Sequence, residues 1–146
     1  MGFAFDETMA GTLGRVDSPD EHYPFRFRIA VRADSVLDHL RTGRAEITGE
    51  VEAPPLTRFS APLHGELTIR PVLRRMIRYQ FDFAGDDGHT YTFTGQKDIR
   101  WTDLVRTWTN MPGEIHDERG HLVATCEARF DLKEDWLSFI SSFRPA

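Results

Sequence analysis

The chain has little cysteine and no long apolar run. Cys126 is its single cysteine, so the chain cannot form an intramolecular disulfide or a zinc site built on several thiolates. A single cysteine is typical of a protein from a reducing compartment. No apolar run approaches the roughly 20 residues of a membrane span, and residues 1–7 lack the basic and apolar regions of a signal peptide. We therefore expect a cytoplasmic protein without a membrane span.

The chain also lacks the short motifs of several enzyme classes. It contains no Gly-x-Ser-x-Gly nucleophile elbow, no Gly-x-Gly-x-x-Gly fingerprint and no phosphate loop. The six histidines show no i, i+2 or i, i+4 spacing, and small apolar residues around Cys126 favour a buried structural thiol. We therefore expect no cofactor, no metal and no catalytic residue of these kinds.

The chain has fewer basic residues than acidic ones, 18 against 23. The formal net charge of −5 argues against nucleic acid as a partner, because that partner usually requires a basic face. Arg26, Arg28 and Arg32 alternate along one predicted strand and could form a local basic stripe. We interpret that stripe as a solvated sheet face rather than an anion site.

Aromatic residues are plentiful, and their spacing is the clearest pattern in the sequence. Within residues 76–83 and 89–95, aromatic side chains recur at alternate positions, namely Tyr79, Phe81 and Phe83, and then Tyr91 and Phe93. This period of two predicts two half-buried antiparallel strands. The Gly-Asp-Asp-Gly sequence at 85–88 suits the turn between them, because these residues tolerate positive φ.

Similar strand patterns recur along the whole chain, interrupted by a predicted loop at 16–21. The further strands are predicted at 3–13, 23–32, 44–53, 63–69, 103–115 and 121–130. About eight strands with regular turn signals indicate a sandwich or barrel. The sequence therefore predicts a mainly all-β single domain over 1–146, an antiparallel lipocalin-like β-barrel.

Two short helices are predicted beside the strands. The first lies near 35–42, after the N-cap residues Asp34 and Ser35. The second lies near 132–143, where Asp131 and Glu134 have the spacing of a capping box.

Inward-facing rings are the first candidate for a binding site. Lining residues for an apolar ligand would be Tyr79, Phe81, Tyr91, Phe93 and Trp108. A barrel of about eight strands is just wide enough either to fill with side chains or to hold one small ligand. A filled core and a ligand cavity both remain open at this point.

A polar site is expected where the hairpin's second strand ends. Lys97 and Asp98 lie there with Trp101 nearby, and Glu7 and Thr107 could converge on them if the barrel closes. Lys97 would then fix the orientation of a ligand. The alternative is a surface salt bridge beside a packed tryptophan.

Four short segments resemble a known module. These segments, 7–11, 47–51, 95–99 and 120–124, are similar to a β-barrel region that accompanies cholesterol-oxidase-like glucose-methanol-choline oxidoreductases. The resemblance spans most of the chain and implies association with lipid or sterol metabolism. It assigns no catalytic residue.

Three functions follow as hypotheses. The first is a stand-alone, non-catalytic barrel that binds a small apolar ligand such as a lipid, a sterol or a polyketide-like compound. The second is an interaction or dimerisation module, which could be a homodimer or could dock to a lipid-metabolism oxidoreductase. The third is a cyclase or isomerase in which Glu7, Lys97 or Asp98 moves a proton within a lipid-like substrate.

Overall fold

The computed structural model describes residues 2–33, 43–70, 76–98, 100, 102, 109–130 and 144–145. These residues form nine strands: β1 (Phe3–Arg15), β2 (Ser18–Ala33), β3 (Arg44–Glu52), β4 (Ala61–Arg70), β5 (Met76–Ala84), β6 (Thr90–Asp98), β7 (Asn110–His116), β8 (Leu122–Arg129) and β9 (Arg144–Pro145). Each strand from β1 to β8 pairs with the next one along the chain, and every pairing is antiparallel.

The barrel closes because β1 pairs on both sides. Its whole length pairs with β2, from Phe3↔Ala33 to Arg15↔Ser18, while Ala10–Arg15 also pair with β8. The two-residue β9 adds to the start of β1. The predicted antiparallel barrel of about eight strands is confirmed.

Alternation along the strands separates the interior from the surface. On β2, Phe25 and Phe27 are 1% exposed or less, whereas Arg26 and Arg28, which alternate with them, are exposed. Burying one large apolar side chain stabilises a fold by about 1.5–3 kcal/mol, so the inward positions dominate its stability. The predicted face assignment of this strand is confirmed.

The hairpin that the aromatic spacing predicts is confirmed and is longer than expected. The paired rings Phe81↔Phe93 and Phe83↔Tyr91 lie directly opposite each other on β5 and β6. Gly88, in the turn, has a φ of +82°, as the Gly-Asp-Asp-Gly sequence predicts. β6 continues to Asp98, so Lys97 lies within the strand rather than beyond it.

The loop predicted at 16–21 is wrong. β1 and β2 form one continuous hairpin whose turn is only Val16 and Asp17, with Gly14 paired to His22. Ser18–His22 extend past the core and are polar on both faces, so no alternation marks them as a strand. A strand that is solvated on both faces has no hydrophobic period to detect.

Gly49 lies where two strands approach each other closely. Its φ is +156°, and a Cβ atom there would lie 1.9 Å from the backbone oxygen of Arg28 on β2. Glycine at such a position lets a strand bend sharply, which a small closed barrel requires.

The two predicted helices, near 35–42 and 132–143, lie outside the described residues, as do Trp101 and residues 103–108 of the strand predicted at 103–115. The described part of that strand begins at Asn110. Within the described ranges no helix has the length and apolar character required to cross a membrane.

Candidate functional site

A cluster of three polar side chains lies inside the barrel. Glu7 on β1, Tyr79 on β5 and Lys97 on β6 are 8%, 2% and 3% exposed, respectively. Charged side chains are almost never this buried unless they are paired. The three residues are therefore the first candidate for a functional site.

Tyr79 links the two charged groups of this cluster. Its hydroxyl donates a hydrogen bond of 2.6 Å to Oε1 of Glu7 and accepts one of 3.3 Å from Nζ of Lys97. Nζ and Glu7 Oε1 are 3.7 Å apart, which makes an ion pair. The tyrosine thus lies between a donor and an acceptor of opposite charge.

The strand register explains how Lys97 reaches this position. Tyr79 lies opposite Gly95 across the β5–β6 pair, and Lys97 lies two residues further along β6 on the same face. Gly95 has no side chain to cover the tyrosine ring. The Lys97 ammonium lies 5.3 Å from the centre of that ring, within the range of a cation–π contact.

Electrostatics hold the tyrosine in its neutral form. Burial raises the pKa of Tyr79 well above 10.0, and the charge of Glu7 and the hydrogen bond to it raise it further. The hydroxyl therefore remains a proton donor to Glu7 across the physiological range.

Such a cluster is costly for a protein core. Replacing a buried ion pair with well-packed apolar residues is often neutral or stabilising, because the two charges lose their hydration. Stability alone therefore gives little reason to hold Glu7 and Lys97 in an otherwise apolar interior. Ionisable groups whose pKa is strongly shifted, as that of Tyr79 is, are enriched at functional sites.

The aromatic candidates divide into two groups. Phe81 and Phe93 stack with ring centres 4.8 Å apart, and Phe25 and Phe27 lie 5.3 and 5.6 Å from Phe93. The Phe93 ring also covers Gly113, where a Cβ atom would lie 2.5 Å from it. These rings pack against one another as core.

Tyr91 lies at the turn end of the hairpin. Its ring stacks on Phe83 and its hydroxyl donates a 2.6 Å hydrogen bond to Asp87 in the turn. This hydrogen bond is the main reason that the pKa of Tyr91 is raised to about 12. Of the rings predicted to line a ligand, only Tyr79 joins the polar cluster among the described residues, and Trp108 lies outside those residues.

The structure brings together two of the residues expected at the polar site. Glu7 and Lys97 converge as expected when the barrel closes, but their pair is buried, so the surface salt bridge is wrong. Asp98 does not belong to the site, because it is exposed and accepts a hydrogen bond from Gln96. Thr107 and Trp101 lie outside the described residues.

Sequence reasoning missed the role of the Tyr79 hydroxyl. The available signal was a charged residue at an inward position of an apolar alternation. Glu7 lies between the inward-facing Phe5 and Met9 on β1, and Lys97 continues the inward series of Phe93 and Gly95 on β6. A charge at such a position requires a partner inside the barrel.

Other reactive side chains are accounted for by local contacts. Cys126 is 4% exposed, and burial raises the pKa of its thiol to about 12, which fits the predicted structural thiol. His116 and His121 lie beside the carboxylates of Glu114 and Asp117. Within the described ranges, no group of three or more histidine, cysteine, aspartate or glutamate residues could hold a metal ion.

The arginine stripe on β2 faces acidic residues on the next strand. Arg26, Arg28 and Arg32 pair in register with Glu52, Glu50 and Glu46 of β3 on the outer face. Opposite charges at directly paired positions stabilise a sheet modestly. The acidic residues beside it agree with its interpretation as a solvated face.

Comparison with known proteins adds no relative. No protein-family model, curated protein or solved structure matches the chain.

Proposed function

We propose that this protein is a non-catalytic, lipocalin-like barrel that binds a small, mainly apolar ligand with one oxygen-bearing polar group. The observation that carries the proposal is the buried Glu7–Tyr79–Lys97 cluster. In this arrangement Lys97 contacts the ligand oxygen, and Tyr79 and Glu7 hold the ammonium in position.

The hydrogen-bonding capacity of Lys97 supports this role. An ammonium has three N–H donors, and among the described residues only the Tyr79 hydroxyl lies within hydrogen-bond distance of Nζ. Oε1 of Glu7, at 3.7 Å, attracts the charge but is too far away to accept a full hydrogen bond. A ligand oxygen would use the remaining donors.

Apolar neighbours support the choice of ligand class. Phe5 precedes Glu7 on the inner face of β1, Ile77 lies opposite Lys97, and Ile69 lies opposite Ile77 on β4. Binding sites of this kind combine apolar walls with a few polar groups that orient the ligand. A lipid, a sterol or a polyketide-like compound has the matching chemistry, and lipids and sterols agree with the resemblance to the oxidoreductase-associated module.

A second candidate is a cyclase or isomerase that acts on a similar compound. The observation that favours it is the inward position of Glu7 and Lys97 with Tyr79 between them, because proton transfer requires ionisable groups beside the substrate. An interaction module, by contrast, leaves the buried cluster without a role. In the described ranges the exposed large apolar side chains are those of Val16, Phe59 and Leu122. They lie in or next to the connections between β1 and β2, between β3 and β4, and between β7 and β8.

Native mass spectrometry of the full chain, purified from its own host, tests the proposal. We expect a stoichiometric small apolar molecule that organic extraction releases. Lys97→Met should weaken rebinding by about tenfold or more, because a hydrogen bond to a charged group contributes about 1.5–3 kcal/mol. Glu52→Ala, on the exposed outer face, is the matched control and should leave rebinding unchanged.

The opposite result is equally clear. If the protein has a clean apo mass and takes up no lipid or sterol from a mixed extract, the proposal is wrong. The interior rings would then serve only as core, and the polar cluster would need a different explanation.

A further inference from the structure

Lysine is rare in this chain although basic residues are not. Of the 18 basic residues, 16 are arginine, and the two lysines are Lys97 and Lys133. Arginine is the usual choice for a buried ion pair, because its planar group makes two parallel hydrogen bonds to a carboxylate and is less strongly hydrated. A lysine at the buried position opposite Glu7 therefore indicates a property that arginine lacks.

The property that distinguishes lysine is the ability to lose its proton and become a nucleophile. The geometry around Nζ offers a route for that proton. The Tyr79 hydroxyl accepts from Nζ at 3.3 Å and donates to Glu7 at 2.6 Å. One proton can pass from Lys97 to the tyrosine oxygen while the tyrosine proton passes to Glu7, so the tyrosine remains neutral throughout.

From these contacts and this use of lysine, we infer that Lys97 forms an imine with an aldehyde or ketone group on the bound ligand. The inference rests on the proposed binding function and narrows its ligand class to apolar carbonyl compounds. The barrel would hold such a compound covalently and reversibly, with Lys97 as the attachment point.

The step balances without an oxidant or reductant. The neutral amine of Lys97 attacks the carbonyl carbon, a C–N bond forms, and the C=O electron pair moves to oxygen, which takes a proton. The resulting carbinolamine loses its hydroxyl group as water, and the nitrogen loses its remaining proton. One amine and one carbonyl group thus give one imine and one water molecule. The protonated Glu7 and the Tyr79 hydroxyl supply and remove the protons over short distances.

Reductive trapping tests the inference on the full chain. The protein is incubated with decanal and sodium cyanoborohydride, digested and analysed by mass spectrometry, with noncovalent uptake of 1-decanol measured in parallel. We expect one reduced adduct per chain, located at Lys97. It should form at least about tenfold faster than adducts at Lys133 or the terminal amine, because binding raises the effective concentration of the carbonyl group.

Three results separate the two proposals. An adduct at Lys97 together with uptake of 1-decanol supports both. Uptake of 1-decanol with adducts only at Lys133 or the terminal amine overturns the imine and leaves the binding function standing. If neither probe binds and a mixed lipid extract also leaves the protein bare, the binding function fails as well.

Two variants test the roles of Lys97 and Tyr79 separately. Lys97→Arg keeps the positive charge but cannot form an imine, so the adduct at this position should be lost. Tyr79→Phe should slow adduct formation by a larger factor than it weakens uptake of 1-decanol, because it interrupts the proton route. Unchanged trapping in Tyr79→Phe would contradict the role given to the tyrosine.

Discussion

The hydroxyl of Tyr79 donates a 2.6 Å hydrogen bond to Glu7 across the full width of the barrel. Tyr79 lies on β5 and Glu7 on β1, and these strands are four positions apart in either direction around the eight-stranded ring. One side-chain contact thus joins opposite walls. Removing this hydrogen bond should lower the stability of the whole barrel.

Tyr79→Phe should lower the free energy of unfolding by about 1–3 kcal/mol, because Glu7 and Lys97 lose a buried hydrogen-bonding partner. The matched control is Tyr91→Phe, which removes a hydroxyl that bonds Asp87 in an exposed turn and should cost less. Urea unfolding followed by circular dichroism measures both. If both variants lose the same free energy of unfolding, the hydrogen bond across the barrel stabilises the protein no more than the one in the turn.

The charged pair should show strong coupling in a double-mutant cycle. Glu7→Leu and Lys97→Met each leave an unpaired buried charge and should each cost about 3–5 kcal/mol. The double variant should cost clearly less than the sum, because it removes both charges from an apolar interior. Additive losses from urea unfolding would contradict the ion pair that the 3.7 Å separation indicates.

Alkaline pH should weaken the fold through Tyr79. Its pKa is raised above 10.0 in the folded state, so its contribution is complete below pH 10 and decreases as the unfolded chain ionises above that value. The free energy of unfolding should therefore fall above about pH 10, and less steeply in Tyr79→Phe. Urea titrations at several alkaline pH values measure the difference, and parallel curves for the two proteins would argue against it.

Gly49→Ala should be among the most damaging small substitutions. The added Cβ atom would lie 1.9 Å from the Arg28 backbone oxygen, so β2 and β3 could not keep their spacing. We expect a loss of at least about 3 kcal/mol, at the upper end of what single substitutions cost. Gly14→Ala is the control, since its nearest neighbour would lie 3.7 Å away, and thermal melts should separate the two variants clearly.

Cys126 should be inert towards thiol reagents until the protein unfolds. Burial raises the pKa of its thiol to about 12, and only the thiolate reacts readily. Colorimetric thiol titration should therefore give no fast phase in buffer and one thiol per chain in denaturant. A fast phase in buffer would mean that the β8 wall opens under native conditions.

The strands could be predicted where one face of the sheet is buried and the other is solvated. For β2, an apolar residue at every second position predicts both the strand and the face that is buried; these residues are Phe25, Phe27, Ile29 and Val31. The extension of β2 back to Ser18 could not be predicted in this way, because those residues are polar on both faces. An alternation of apolar and polar residues reveals a strand only when one of its faces is buried, and a strand that is solvated on both faces shows no such alternation.

The candidate site was predictable only in outline. Glu7 and Lys97 are 90 residues apart in sequence, and closure of the barrel was the assumption that brought them together. The hydrogen bond to Tyr79 depends on the exact register of β5 against β6, which places Gly95 opposite the ring. A one-residue slip would turn Lys97 to the outside, and sequence pattern alone does not set register that finely.

The ring of Phe93 occupies part of the space that side chains at Gly95 and Gly113 would fill, since added Cβ atoms would lie 2.9 and 2.5 Å from it; at Gly95 the sulfur of Met111 would be nearer still, at 2.8 Å. These three positions on β6 and β7 therefore share one volume and should not vary independently during evolution. Homologues with alanine at position 113 should carry a smaller residue at position 93. An engineered Gly113→Ala chain should regain stability when Phe93→Leu is added, although each change alone is harmful.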